Sequence, residues 1–315
     1  MREFLDTTPW HNTTPKPIAG DASARRYYRL EHPPAILMDD PSLTTDQFAK
    51  IAKLLTNAGL CAPKIYAHDP ETGRMIIEDL GTDDFAKHLL SHPEDEAGLY
   101  AAATDVLIAV SQIKPPDSLP AITHQTAADM IGLASDHYAP HGDGKTVIAA
   151  ALRDAFDAHV APDLCLALRD YHAENLIWRP QKSALDRVGL LDFQDACRAP
   201  VGYDLMSLIR DARRDVDDNV ATTITARFCT ALDLNPTDMS AQFCCIGVQR
   251  NLRILGIFAR LAKRDGKVQY LDLIPRVWRC LMADLAHPAL GALRTCVLQN
   301  LPAPDAATLQ RLASK

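Results

Sequence analysis

Leu168-Arg169-Asp170-Tyr171-His172-Ala173-Glu174-Asn175-Leu176-Ile177-Trp178, followed by Val188-Gly189-Leu190-Leu191-Asp192-Phe193-Gln194-Asp195, is the stretch that decides the fold. The apolar runs 176–178 and 188–191 are too short for helices and suit two small strands. Asp170 and Asn175 then sit on a loop before the first strand, and Asp192 ends the second. Two carboxylates and an amide oxygen meet at a hairpin mouth. Phosphoryl transfer uses this set: one carboxylate accepts the proton of an attacking hydroxyl, while an amide and a second carboxylate hold magnesium on nucleotide phosphates. A lone Asp-x4-Asn is an ordinary turn; the second run and its terminal acid point to a kinase.

Upstream of this stretch the pattern alternates between strands and one helix. Residues 1–16 are polar and punctuated by proline, and read as a loosely packed lead-in. The small-residue turn 20–24 precedes an aromatic, β-prone run, and 35–38, 65–68 and 75–78 read as further strands of an antiparallel meander. A tip of Gly, Ala and Ser lets backbone N–H groups approach phosphates, with Arg25 and Arg26 adding charge. Thr44 and Gln47 have the spacing of a capping box; Phe48, Ile51, Ala52 and Leu55 follow at helical spacing, and Gly59 ends the helix. Glu78-Asp79-Leu80-Gly81 follows the last strand directly. In a bilobal kinase this segment is the hinge that takes an adenine; otherwise it is a plain strand-to-helix turn.

From Asp83 onward helical periodicity dominates, over 84–90, 94–113, 122–138, 146–160, 220–232, 239–264 and 268–285, with prolines as breakers. Asp204, in the first turn of a helix opening at Gly202, caps that helix or braces the catalytic loop. The order predicts an α+β, bilobal, protein-kinase-like fold: a small β-rich N-lobe over 1–80 that binds nucleotide, and a larger helical C-lobe over 81–315 with the catalytic loop, metal and substrate sites.

Bulk composition narrows the partners. A net charge of −7 without a basic stretch argues against nucleic acid. No apolar run approaches the roughly eighteen residues of a membrane span, and the N-terminus lacks a signal-peptide core. Eight cysteines without a Cys-x2-Cys pair read as free thiols of a reducing cytoplasm. The expected location is therefore cytoplasmic.

These residues resemble the aminoglycoside phosphotransferase and choline kinase superfamily, relatives of protein kinases. Within it, stretches 20–29, 37–41, 191–196, 203–211 and 247–260 are most similar to bacterial cell-wall amino-sugar kinases. Those enzymes phosphorylate the anomeric hydroxyl of N-acetylmuramate and N-acetylglucosamine in peptidoglycan recycling. The resemblance implies ATP and Mg2+ as cofactors, Asp170 as base, and Asn175 and Asp192 as metal ligands. It places Ser23, Arg25 and Arg26 over the phosphates and Glu78 to Leu80 against the adenine. The product, a sugar 1-phosphate, would suit a sugar-1-phosphate nucleotidyltransferase as functional partner.

Three departures stand out. Leu168 occupies the place of the family's loop-anchoring His; the metal motif reads Asp-Phe-Gln; and neither 35–38 nor 44–58 supplies the usual Lys–Glu pair. Arg25 or Arg26 is the expected replacement. A lactyl carboxylate on the acceptor calls for cations, and Arg210, Arg213 and Arg214 on one helix and Arg250, Arg253 and Arg260 on another are available, with Arg213 and Arg250 as candidates. A polycationic aminoglycoside would instead want the acidic rim of Asp195, Asp211, Asp215, Asp217 and Asp218. Choline would need an aromatic cage that the sequence lacks beside Asp170. An inactive ATP-binding regulator is a further alternative, opposed by the intact Asp170, Asn175 and Asp192.

Overall fold

A computed structural model describes residues 1–18, 25–140 and 143–314. Nine strands lie among them: β1 (Lys16–Ile18), β2 (Arg26–Leu30), β3 (Ala35–Asp39), β4 (Ile65–Asp69), β5 (Arg74–Glu78), β6 (Leu164–Ala167), β7 (Leu176–Trp178), β8 (Val188–Leu190) and β9 (Cys197–Pro200). The α-helices are α1 (Arg2–Asp6), α2 (Thr45–Asn57), α3 (Phe85–Ser91), α4 (Glu96–Ser111), α5 (His124–Met130), α6 (Gly144–His159), α7 (Tyr203–Ile209), α8 (Asp218–Ala231), α9 (Pro236–Asp265), α10 (Ile274–Leu285), α11 (Gly291–Asn300) and α12 (Ala306–Ala313). The chain forms two compact units, residues 1–110 with 173–196, and residues 111–172 with 197–315. It therefore passes between them three times. Relative to the division expected after residue 80, the first unit also takes in 81–110 and the β7–β8 hairpin.

In the first unit, five strands form an antiparallel sheet in the order β1-β2-β3-β5-β4. Strand alternation divides its side chains. Leu37 lies opposite Ile76, and on this face Leu30, Ala35, Leu37 and Ile76 pack with Phe4, Leu5 and Trp10. The expected loose lead-in is thus a short helix and turn that closes one side of the sheet. Its three apolar side chains outweigh the polar residues between them, and the Trp10 indole donates to the Pro33 carbonyl. Met38 and Met75, paired in register, are buried on the other face.

Helix α2 buries Phe48, Ile51, Ala52 and Leu55, and Phe48 stacks on Phe193 at 4.7 Å between centroids. Thr44 is its N-cap residue, but its side chain makes no capping bond. The hydroxyl instead donates to Asp40 Oδ2 at 2.7 Å. At the other end Gly59 takes φ +76° and the Leu60 amide reaches back to Leu55 O, the left-handed stop that glycine permits.

The β7–β8 hairpin is stitched to this unit by backbone. Leu190 N donates to Cys61 O and Trp178 N to Asp83 O, each at 2.8 Å. Cys61, Leu80 and Ile177 form a small apolar cluster with Leu191 against it. Gly189 is required there: a Cβ would stand 2.9 Å from Leu80 Cδ1 and 3.2 Å from Ile177 Cβ.

The second unit is built on α9. Asn235 caps it through a bond from Thr237 N, Pro236 fills the first position, and Gly266 at φ +69° ends it. Sixteen of its thirty residues are buried, so this helix is surrounded rather than laid on a surface. Gly256 lets it approach the Leu133–Ala134 backbone, where a Cβ would collide. That backbone opens a π turn over Ala134–Tyr138, so the expected helix 122–138 is α5 followed by this turn. Likewise 268–285 is a 3-10 turn followed by α10, with Pro275 at its start. All eight cysteines are free thiols. No helix among the described residues is long and apolar enough to cross a membrane.

Candidate active site

The hairpin of the first unit aligns Leu176 with Leu190, so Asn175 and Leu191 face each other at its mouth. The Leu191 amide donates to the Asn175 carbonyl at 3.0 Å. Asp192 follows at φ +56°, a left-handed conformation costing about 1–3 kcal/mol for a non-glycine residue. Its exposed carboxylate accepts a 2.8 Å hydrogen bond from Gln194 Nε2, and Gln194 is buried. The short strands thus bring together an amide side chain and a carboxylate, both hard oxygen donors.

Arg25, just before β2, feels the charge of Asp192. Its Nε donates to Asp40 Oδ2 at 3.0 Å and its Nη2 to Thr44 Oγ1 at 2.8 Å. The Asp40 side chain is fully enclosed. Burial pushes Asp40 up, but bonds from Thr44, Arg25 and the Ser42 amide outweigh it and hold the carboxyl below its ordinary range. Burial pulls Arg25 down, while the Asp40 bond and the charges of Tyr27, Asp40 and Asp192 raise it overall. Arg25 and Asp192 therefore share one electrostatic neighbourhood. Arg26, exposed on β2, makes no such ion pair among the described residues: the residue opposite it, Asp39, is held by Arg74. Ser23 lies outside the described residues.

The segment 78–81 is pinned on both sides. Glu78 pairs with Arg179 at 3.5 Å, Asp79 accepts from Arg29 at 2.8 Å and from the Gly81 amide at 3.0 Å, and Leu80 packs in the apolar cluster with Ile177.

Asp170 belongs to the second unit, five residues before Asn175 in the chain. The two residues before it are clamped. Asp204 takes the amides of Leu168 and Arg169, one on each carboxylate oxygen. The Arg169 carbonyl accepts from Arg250 Nη1 at 3.0 Å, and Arg250 Nη2 donates to Ser207. Between these grips Arg169 stands at φ +77°. Leu168 is buried, and the Asp204 carboxylate anchors the loop where the superfamily uses a histidine. Burial pushes Asp204 up to about 6, against the pull of the two amides and Arg250. Arg250 lies over the Tyr203 ring at 4.8 Å, so its place is that of a loop clamp.

Other candidate acceptor residues are dispersed. Asp195 is exposed in the first unit. The Arg213 amide donates to Asp211, and its carbonyl accepts from Arg276. Of the acidic rim, Asp211 is buried, Asp215 pairs with Arg276 and Arg279, and Asp217 caps α8. Sequence reasoning assigned no role to Asp40, Ser207 or Arg169. Asp40 carried a signal, the second of two acids that close an apolar strand.

An antiparallel five-stranded unit carrying the β7–β8 hairpin, together with a helical unit, is the architecture of the protein-kinase-like phosphotransferases. The chain belongs to the phosphotransferase enzyme family, which matches residues 14–239. It is 36% identical to the N-acetylmuramate/N-acetylglucosamine kinase of Caulobacter vibrioides, over 95% of both chains. It is 32% identical to the protein of that name from Pseudomonas aeruginosa, over 96% of this chain and 94% of that one. In fold it is similar to a choline/ethanolamine kinase family protein from Mesorhizobium loti, with a TM-score of 0.67 at 16% identity, covering 95% of this chain and 98% of the other.

Proposed function

We propose that this chain is an ATP-dependent kinase of the anomeric hydroxyl of N-acetylmuramate and N-acetylglucosamine, acting in the cytoplasm in peptidoglycan recycling. The observation that supports it most is the intact Asp170, Asn175 and Asp192 in a chain 36% identical, along 95% of its length, to a relative of that name. Asp170 accepts the proton of the sugar 1-OH as its oxygen bonds to the γ-phosphorus. The bond from phosphorus to the bridging oxygen breaks, and ADP leaves. Holding Leu168 and Arg169 by both their amides and a carbonyl fixes the direction of that base.

Asn175 and Asp192 would hold magnesium. Two oxygen donors suit an ion that keeps octahedral places for phosphate and water. When bound, the ion neutralises charge on the β- and γ-phosphates. Arg25, braced by Asp40 and Thr44, takes the place of the absent Lys–Glu pair over the phosphates, with Arg26 next to it in the chain. Glu78 to Leu80 receives the adenine. The sugar 1-phosphate is a substrate type of nucleotidyltransferases, the class of enzyme that would act next.

The test is ADP release from the purified protein with ATP and magnesium, offering N-acetylmuramate, N-acetylglucosamine, kanamycin and choline in turn. Phosphorus NMR identifies an anomeric phosphate. Turnover of an acetylated sugar that Asp170→Asn abolishes is the expected result. Turnover of kanamycin or choline alone would refute the acceptor assignment, and ATP binding without turnover would favour an inactive regulator.

A further inference from the structure

Three arginines of the second unit, Arg169 next to Asp170 in the chain and Arg250 and Arg253 on α9, differ in one respect. Arg250 is fully engaged by Ser207 and the Arg169 carbonyl. Arg253 lies three residues further along α9, on the same side of the helix. Its guanidinium makes no hydrogen bond or ion pair with the described residues. The charges acting on it are those of Arg169, Tyr203, Asp170 and Arg250, and burial together with the neighbouring Arg169 lowers its affinity for its own proton. Arg169 is in the same condition: its Nε is buried without a partner. So is the Tyr203 hydroxyl, on a fully buried ring.

A half-buried guanidinium without a hydrogen-bonded partner is an open set of donors, and a buried hydroxyl without a partner is costly. Proteins of this size keep such groups where a ligand completes them. The complement here is an anion with at least two acceptor oxygens, reachable by a guanidinium fork.

We infer that Arg253 forms a carboxylate-binding subsite beside Asp170 that selects an acidic amino sugar over its neutral counterpart. This rests on the proposed sugar-kinase reading and assigns the acceptor's acid group a specific residue. The neutral sugar leaves the guanidinium uncompensated and is the poorer acceptor. Arg250, already committed to the loop, holds the platform and does not contact the acid.

The experiment compares kcat/KM for N-acetylmuramate and N-acetylglucosamine in the parent protein, Arg253→Gln and Arg253→Lys. Removing one charge-assisted pair lowers the N-acetylmuramate to N-acetylglucosamine ratio by about 10- to 100-fold in Arg253→Gln. Arg253→Lys recovers part of it, since the charge is kept and the fork is lost. A packing role would lower both sugars alike, and an unchanged ratio overturns the inference. Calorimetric titration of both sugars, in the presence of ADP, onto the parent and Arg253→Gln gives a readout without catalysis. If neither sugar turns over but N-acetylmuramate binds the parent and not Arg253→Gln, the kinase reading fails and the subsite stands. If N-acetylmuramate binds neither protein, or both equally, the subsite is refuted.

Discussion

Replacing Asp204 by Asn separates loop positioning from stability. Both carboxylate oxygens of Asp204 accept a backbone amide, from Leu168 and from Arg169. Asparagine has the same shape but accepts only one, and its NH2 faces the other donor. An orphaned buried N–H costs about 1–3 kcal/mol. Against this stands the cost of the charge itself. Folding raises the Asp204 carboxyl from 3.8 to about 6, so at neutral pH the ionised form is about 3 kcal/mol less favourable than in water. Asparagine carries no such charge. The two effects are of similar size and opposite sign, and the net change in unfolding free energy is within about 2 kcal/mol. Catalysis has no such offset. With one amide released, the residues before Asp170 shift, and a displacement of ~1 Å costs on the order of 100-fold. Urea unfolding followed by circular dichroism measures the first quantity, and ADP release at saturating ATP and N-acetylglucosamine the second. A near-native unfolding midpoint with kcat down about 100-fold is expected. Activity within about threefold of the parent would show that the double amide grip does not set the base.

The two N-terminal arginines are separable in the same way. Arg25→Ala strands the enclosed Asp40 carboxylate and is expected to cost about 3 kcal/mol and raise the KM for ATP, whereas Arg26→Ala, exposed, changes stability by about 0.5 kcal/mol or less; equal effects in urea unfolding would refute the distinction. Asp284 supplies a pH test: fully buried, it is raised by burial to about 6 despite its Arg210 partner. A carboxyl that binds its proton more tightly when folded contributes stability that falls as pH rises from about 4 to 6. The difference in unfolding free energy between the parent and Asp284→Asn is therefore expected to change by about 3 kcal/mol across that window; a constant difference would place the titration elsewhere.

The β7–β8 hairpin was legible because two very short apolar runs, each flanked by polar residues, have few alternative folds. Periodicity likewise marked α9, with its Asn-Pro start and Gly stop. Other features depended on partners far apart in the chain. The lead-in looked unstructured because five residues hold barely a helical turn, and only the sheet shows where Phe4, Leu5 and Trp10 go. Thr44 and Gln47 had the spacing of a capping box, but Asp40 and Arg25 claim the Thr44 hydroxyl. Arg250 and Arg253 are the same residue type one helical turn apart. That one is bonded to the loop and the other is not follows from Ser207 and the turned-out Arg169 carbonyl.

The threefold passage of the chain between the two units bears on how the protein is made. Cys61 and Leu80 leave the ribosome well before Ile177 and Leu191, the side chains that complete their cluster. At ordinary synthesis rates the interval is on the order of ten seconds. During it that apolar cluster is incomplete and its unit lacks a hairpin. The first unit thus cannot be produced by cutting the chain after residue 110, because a piece of it is encoded beyond residue 172.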